Sequence, residues 1–322
     1  MLKFVFEICK RDWWKLILVI LISVVSALCS QYVFSFIGYV IDYGINFLGK
    51  TYPGPWSFIF SGYFGEYGTI KLTITLAICS AIFAIANYLL NYWNSYFTTA
   101  QSQVIANRVR VSTYYQLKNK KLPYSVGDFL VIFQEDIYNI GSIYLSVIPN
   151  IIVAIVTTGF CLYMLGSINP YLLITPIVLS PAIIVLGILY HKATYKANKA
   201  FRDVDGELKE TVNQAIGTES KDAYNQFEKQ NELHTKNRKD VALVGQKYSL
   251  WLNLVKIAIY IISCTIAGVL TINGSILIGE YLIFIAFVNT IFSQILSFID
   301  IIASIKSTKP RIEKVQKLME AK

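Results

Sequence analysis

The sequence predicts an all-α membrane protein with six transmembrane helices and long cytoplasmic extensions. Three observations support this fold class. The 322 residues are 55% hydrophobic and only 15% charged, with a mean hydropathy of +0.50, which is more apolar than a water-exposed surface tolerates. Six apolar runs are long enough to cross a bilayer. Nearly all basic residues lie in the connections on one side of those runs.

The six apolar runs define the predicted elements in chain order. A helix needs about 20 apolar residues to span the hydrocarbon layer, and such runs lie at 16–41, 71–93, 141–165, 171–190, 251–272 and 277–302. The first run follows basic residues, as a secretion signal does, but it is too long for one and Leu28 spoils the cleavage pattern. We expect this run to stay in the mature protein. The chain is predicted to be a single domain over 1–322, in which 303–322 is a linker towards an ATPase domain.

The distribution of Lys and Arg predicts the orientation of the chain. Basic residues near helix ends are retained in the cytoplasm, and 26 of the 29 fall within 1–15, 94–139, 191–249 and 303–322. Both termini and both long connections are therefore predicted to be cytoplasmic. The basic residues are spread among acidic neighbours, so no nucleic-acid partner is expected. The abundance of Ile, Lys and Tyr favours a bacterial cell membrane.

One short stretch, "GINFLGKT" at 44–51, fits the phosphate-loop pattern through Gly44, Gly49, Lys50 and Thr51. A working phosphate loop follows a strand and opens a helix whose amides cradle phosphate. This stretch follows an apolar run, continues into "YPGPW" and falls on the predicted outer side. We interpret it as a chance match and predict no cofactor site in this chain.

Neither cysteine nor histidine forms a pattern that predicts metal or disulfide chemistry. The five cysteines stand singly in or beside apolar runs, which is typical of packing residues. The two histidines, His191 and His234, are far apart in polar stretches without metal-ligand spacing. We therefore predict no metal site and no catalytic residue.

The long connections have the composition of helices. From Tyr88 to Leu122, and again from Thr218 to Leu243, there is neither Gly nor Pro. The membrane helices are therefore predicted to continue beyond the bilayer as rods. Breaks are predicted at "LPYSVGD" (122–128) and near "QAIGTES" (214–220). Each long connection is therefore predicted to consist of a helix that leaves the membrane, a short turn at its tip and a helix that returns.

Three segments at these tips and at the C-terminal end resemble ABC exporters. "VGDFLVIFQEDIYNI" is similar to the stretch after the first intracellular coupling helix, with Gly127 and Asp136 at matching positions. "GELKETVNQAIGTESKDAYNQFEKQNE" resembles the second intracellular loop, matched by Gly217 and Ala223-Tyr224-Asn225. "IIASIKSTKPRIEKVQKLME" is similar to the segment that leads into the nucleotide-binding domain. The resemblance covers the whole chain through its six-helix layout.

The resemblance implies two short coupling helices that dock on ATPase domains. It places coupling residues at Pro123, Tyr124, Gly127, Asp128, Asn213, Gly217, Lys221 and Asp222. Asn213 departs from the family's usual Glu, and Lys221-Asp222 replaces an apolar-Lys pair. The chain as given shows no ABC signature, so ATP and Mg²⁺ are expected in an ATPase domain at the C-terminus or on a separate chain. A second transmembrane domain, as homo- or heterodimer, and the lipid bilayer are the other implied partners.

A transport pathway needs polar groups at membrane depth, where they are costly and face a cavity or another helix. The candidates are Asn87, Asn91, Asn150, Asn289 and Gln294. Hydrogen bonding between helices is an equally good interpretation of these residues.

The sequence thus predicts the membrane-spanning half of an ATP-driven exporter, part of an ABC-type translocase that works by alternating access. A motor-less membrane scaffold or immunity-type protein that keeps the fold is the alternative. A channel or ion-coupled carrier is disfavoured, because no acidic chain or charge pair lies in the middle of a run.

Overall fold

A computed structural model describes residues 2–45, 70–117, 132–215 and 221–320 of the chain. Within those ranges the structure is 98% helical and contains no strands. Six helices are long and apolar enough to cross a membrane, so the predicted fold class is confirmed. The two predicted coupling tips lie largely outside the described residues.

The first half of the chain supplies three helices. α1 spans Leu2–Cys9, and a 3₁₀ turn, Lys10–Asp12, joins it to α2, Trp13–Tyr39. α2 continues as a π-helical turn over Val40–Ile45. α3 runs from Ile70 to Leu117, a length of 48 residues or about 72 Å, which is more than twice the thickness of the hydrocarbon layer.

The remaining helices follow with short joints. A π-helical turn, the short α4 (Ile137–Ser142), a second π-helical turn and α5 (Ile148–Ile168) form one continuous span. Asn169 then caps a 3₁₀ turn by accepting a hydrogen bond from the Tyr171 amide at 3.0 Å. The last three helices are α6 (Ile174–Ala215), α7 (Lys221–Ile272) and α8 (Ile278–Glu320).

The joint between α7 and α8 is a tight turn over "NGS" at 273–275. The amide of Asn273 bonds to the carbonyl of Val269, and that of Ser275 bonds to Leu270. Gly274 has a φ of 67°, in the left-handed region that glycine adopts without a Cβ penalty. The Asn-Gly sequence therefore ends α7 and reverses the chain.

The chain divides into two compact units, Met1–Val178 with Ser263–Lys322, and Leu179–Ile262. In the first unit α2 is central and packs against α3, α5 and α8. In the second, α6 and α7 form an antiparallel pair. The rings of Tyr190 and Tyr248 lie 6.3 Å apart, and His234 contacts both the Phe201 ring and the Asp205 carboxylate.

One end of the first unit, which we call the terminal end, gathers the parts nearest the two chain termini. A cluster of buried residues there, the terminal core, joins α1, α2, α3, the segment 132–145 and the last turns of α8. Its members are Val5, Cys9, Val19, Ile105, Ala106, Val109, Ile132, Ile137, Ile140, Ile143, Tyr144, Leu145, Ile312, Val315 and Leu318. The segment predicted as a linker, 303–322, is thus helical through Glu320 and packed along one side.

Candidate functional site

Hydrogen bonds between α2 and α3 fix which residues of the two helices lie side by side, and the first apolar run then gives the depth of each α3 residue. Ser26 Oγ donates to Asn87 Oδ1 at 2.8 Å, and Asn94 Nδ2 donates to Ser23 Oγ at 3.0 Å. Ser23 lies about 10 Å inside the first apolar run, and Ser26 about 15 Å, at 1.5 Å per residue. Asn87 is therefore near the middle of a layer about 30 Å thick, and Asn94 is well inside it.

At this depth α3 exposes a row of polar side chains three or four residues apart. We call this row the polar face of α3; its members are Tyr88, Asn91, Tyr92, Ser95, Tyr96 and Thr99, all of them exposed. Tyr88 is 75% exposed and Tyr92 71%. No acidic or basic residue occurs between Leu72 and Asn107. The face is therefore polar, aromatic and uncharged.

Lipid tails cannot accept a hydrogen bond from a tyrosine hydroxyl or an amide. Tyrosine is common at the water–lipid boundary, but Tyr88 and Asn91 lie near the middle of the layer. Polar groups at that depth face a water-filled cavity or other protein. The neighbouring edge of the same helix exposes Leu89 and Trp93 instead, which suit lipid.

The five predicted path residues fall into different surroundings. Asn87 is half-buried and accepts from Ser26 and from Asn91 Nδ2 at 2.9 Å, so it joins α2 to α3. Asn91 and Asn150 are exposed on α3 and α5. On α8, Asn289 is exposed and Gln294 half-buried. Asn87 and Asn91 are therefore hydrogen-bonded to each other. The transport role of all five residues stays a prediction.

A buried amide that the sequence did not single out connects three membrane helices. Gln31 of α2 is 5% exposed. Its Oε1 accepts hydrogen bonds from Thr290 Oγ1 of α8 at 3.3 Å and from Cys161 Sγ of α5 at 3.6 Å. Such bonds hold membrane helices together, because apolar side chains gain little by contacting another helix instead of lipid.

Opposite the terminal end, which we call the far end, α2 and α8 are joined by a contact that we name the far-end clasp: Gly38, Asp42, Gly279 and Glu280. The buried Asp42 carboxylate accepts from the Gly279 amide at 2.6 Å and the Glu280 amide at 3.0 Å. It thereby caps the N-terminus of α8, where the helix dipole favours negative charge. Glu280 adds a second cap by accepting from the Leu277 amide at 2.7 Å.

Glycine makes the clasp possible. A Cβ on Gly279 would overlap the Gly38 carbonyl oxygen and the Asp42 carboxylate, and a Cβ on Gly38 would overlap Ile283. The two helices therefore touch backbone to backbone, as small residues allow in membranes. The sequence signal is slight, because Gly38 and Gly279 are isolated glycines in separate apolar runs.

Ion pairs surround the terminal core. Asp12 is buried and bonds to both Lys15, at 2.8 Å, and Arg108 of α3. Arg311 Nε of α8 lies 3.9 Å from the buried Asp136 carboxylate. Asp136 and Arg311 come from two of the three segments that resemble ABC exporters, so the fold brings these segments together.

The remaining predicted residues lie at the ends of described helices or outside the described residues. Asn213 lies in the last turn of α6, and Lys221 and Asp222 open α7. Pro123, Tyr124, Gly127, Asp128 and Gly217 lie outside the described residues, and their coupling role stays a prediction. In the phosphate-loop match, Gly44 falls in the π-helical turn after α2, whereas Gly49, Lys50 and Thr51 are also outside.

Comparison with known proteins identifies the family. Residues 16–296 match the family model described as the ABC transporter transmembrane region. The search of curated proteins returned no match. The matched range begins in α2 and ends in α8, so it takes in all six helices that are long and apolar enough to span a membrane. The chain is an integral membrane protein that belongs to the ABC transporter transmembrane family.

Proposed function

We propose that the chain is the membrane-spanning half of an ATP-driven exporter and that the substrate crosses the bilayer along the polar face of α3. The observation that carries this proposal is the exposure of Tyr88, Asn91 and Tyr92 near the middle of the hydrocarbon layer. Such groups need water, substrate or protein beside them. An uncharged face of tyrosine, amide and hydroxyl groups suits substrates that combine apolar surface with neutral hydrogen-bonding groups.

The far-end clasp and the terminal core give this pathway two sites of control. In alternating access, opening one side requires closing the other. The clasp holds α2 and α8 together at one end through Asp42 and Gly279. At the other end the terminal core holds α8 through Ile312, Val315 and Leu318. We propose that the clasp is the outer closure and that movement of the terminal end drives it.

The drive is proposed to come from ATPase domains, which transmembrane domains of this family pair with. A force at the end of α8 would pass directly into α1, α3 and the segment 132–145, because all of them share the terminal core. The predicted turns at 122–128 and 214–220, which include Tyr124 and Gly217, are the proposed docking points. ATP and Mg²⁺ would bind in the ATPase domains.

The test is ATP hydrolysis in lipid nanodiscs by the chain alone and by the chain assembled with its natural ATPase, whether a C-terminal extension or a neighbouring gene product. We expect hydrolysis only in the assembly, and a large loss in Tyr124→Ala. Tyr163→Ala is the matched control, because Tyr163 is exposed near the end of α5. Hydrolysis by the chain alone would contradict the proposal. If the chain assembled with its ATPase shows no hydrolysis either, the scaffold alternative would be favoured.

A further inference from the structure

A cavity of about 710 Å³ lies at the terminal end between α1, the start of α2 and Tyr144. Its walls are mainly apolar and include Phe6, Trp13, Leu16 and Ile17. The Phe6 ring packs edge-on against Tyr144, with the ring centres 5.5 Å apart. The volume is in the range of sites that hold small molecules. Nothing in the proposed transport cycle uses this cavity.

The surroundings place the cavity at the boundary between lipid tails and headgroups. It adjoins the start of the first apolar run, where Trp13 is 62% exposed and Trp14 50%, and tryptophan is enriched at that boundary. α1 is amphipathic: Val5 and Cys9 are fully buried, whereas Phe6 and Glu7 are exposed. An amphipathic helix of this kind suits the membrane surface.

The rim of the cavity carries Lys3, Glu7 and Lys10. Lys3 lies in the first turn of α1 and Lys10 opens the 3₁₀ turn that follows it, and both line the cavity. With Glu7 between them the rim has a net charge of +1, which complements one phosphodiester. We propose that this cavity binds an anionic phospholipid, with the phosphate between Lys3 and Lys10 and an acyl chain against Phe6, Leu16 and Ile17.

The site has a structural link to the rest of the unit. The opposite side of α1 contributes Val5 and Cys9 to the terminal core, which also contains Ile312 and Val315 of α8. An occupied cavity would hold α1 against that core. Lipid binding at this site would therefore stabilise the terminal end, independently of ATP and of any transported substrate.

The test is quenching of Trp13 fluorescence by brominated lipid. Trp14, Trp56, Trp93 and Trp251 are replaced by Phe, so that Trp13 alone reports. The chain is placed in phosphatidylcholine vesicles with equal small fractions of brominated phosphatidylglycerol or brominated phosphatidylcholine. The relative affinity follows from the two quenching curves. We expect Trp13 to prefer phosphatidylglycerol, and the double variant Lys3→Gln/Lys10→Gln to lose about tenfold of that preference.

Two further variants make the test specific. Glu7→Gln removes the negative charge from the rim and should strengthen the preference. Lys236→Gln/Lys239→Gln removes two exposed charges from α7 that do not line the cavity, and should leave the preference unchanged. Equal quenching by the two lipids would overturn the proposal. An equal loss in both double variants would do so as well, because it would show a general charge effect.

Discussion

At the residue scale, the far-end clasp depends on glycines that leave no space for a larger side chain. Gly279 has the Gly38 carbonyl and the Asp42 carboxylate where its Cβ would stand. Asp42 is the partner of two amides at the start of α8. One methyl group on Gly279 would therefore separate the two helices and remove hydrogen bonds at the same time.

We predict that Gly279→Ala lowers the unfolding temperature in detergent, because the helices must move apart and Asp42 loses its amide partners. Hydrogen bonds to a charged group are worth about 1.5–3 kcal/mol each. Gly159→Ala on α5 is the control, since nothing lies within 4 Å of its added Cβ. That control should be neutral or slightly stabilising, as alanine is a better helix former. Equal effects of the two changes would contradict the close contact.

Arg108 provides a second prediction at this scale. The Asp12 side chain is 3% exposed, whereas that of Arg108 is 40% exposed, so solvent screens part of the interaction. In a double-mutant cycle of Asp12→Ala and Arg108→Ala, measured by unfolding in detergent, we expect a coupling energy of about 1 kcal/mol. A coupling near zero would mean that Lys15 alone satisfies Asp12.

These contacts also show what sequence reasoning misses at the residue scale. Asp42 and Gly279 are 237 positions apart, and Gln31 and Thr290 are 259 apart. No spacing within one helix reports such a pairing. Asn87 stands out because it is a polar residue in an apolar run, whereas its partner Ser26 and the bonded pair Asn94 and Ser23 give no such signal.

At the element scale, the existence of six spanning helices could be predicted because hydropathy alone determines it. The length of α3 that lies inside the membrane could not be predicted in this way. Its apolar run ends at 93, yet the bond from Asn94 to Ser23 places residues beyond 93 inside the hydrocarbon layer. Polar residues that line a pathway lower the hydropathy of the helix that carries them, so its apolar run is shorter than its membrane-embedded length.

The end of α8 is the element whose packing was least evident from sequence. The segment 303–322 is predicted as a linker, because it resembles the family's connection between the sixth membrane helix and the nucleotide-binding domain. The structure buries Ile312, Val315 and Leu318 at helical spacing, whereas the basic residues of the described part of α8 are exposed. That spacing is the signal from which its packing could have been predicted.

We predict that Ile312→Ala destabilises the first unit by about 2–5 kcal/mol, because the fully buried side chain leaves a cavity in the terminal core. Ile302→Ala on the same helix is the matched control, since Ile302 is 41% exposed. It should cost much less. Thermal unfolding in detergent would compare the two, and similar costs would show that α8 does not need the terminal core.

At the scale of the whole molecule, the two units contain different features. The first unit contains the polar face, the clasp and the terminal core. The second is a pair of long helices with ring contacts at Tyr190–Tyr248 and Phe201–His234. Family membership rests on the match over 16–296. The coupling tips, the substrate and the ATPase remain proposals, because they depend on partners and on segments outside the described residues.

The central claim is that the polar face of α3 lines the transport pathway, and thiol accessibility tests it most directly. In a chain without native cysteines, assembled with its ATPase in nanodiscs, Tyr92→Cys, Ser95→Cys and Leu89→Cys would be exposed to a charged, membrane-impermeant thiol reagent. We predict rapid modification at positions 92 and 95, a change in rate when ATP is added, and protection at position 89, on the edge of α3 that we assign to lipid. Equal protection at all three positions would contradict the claim.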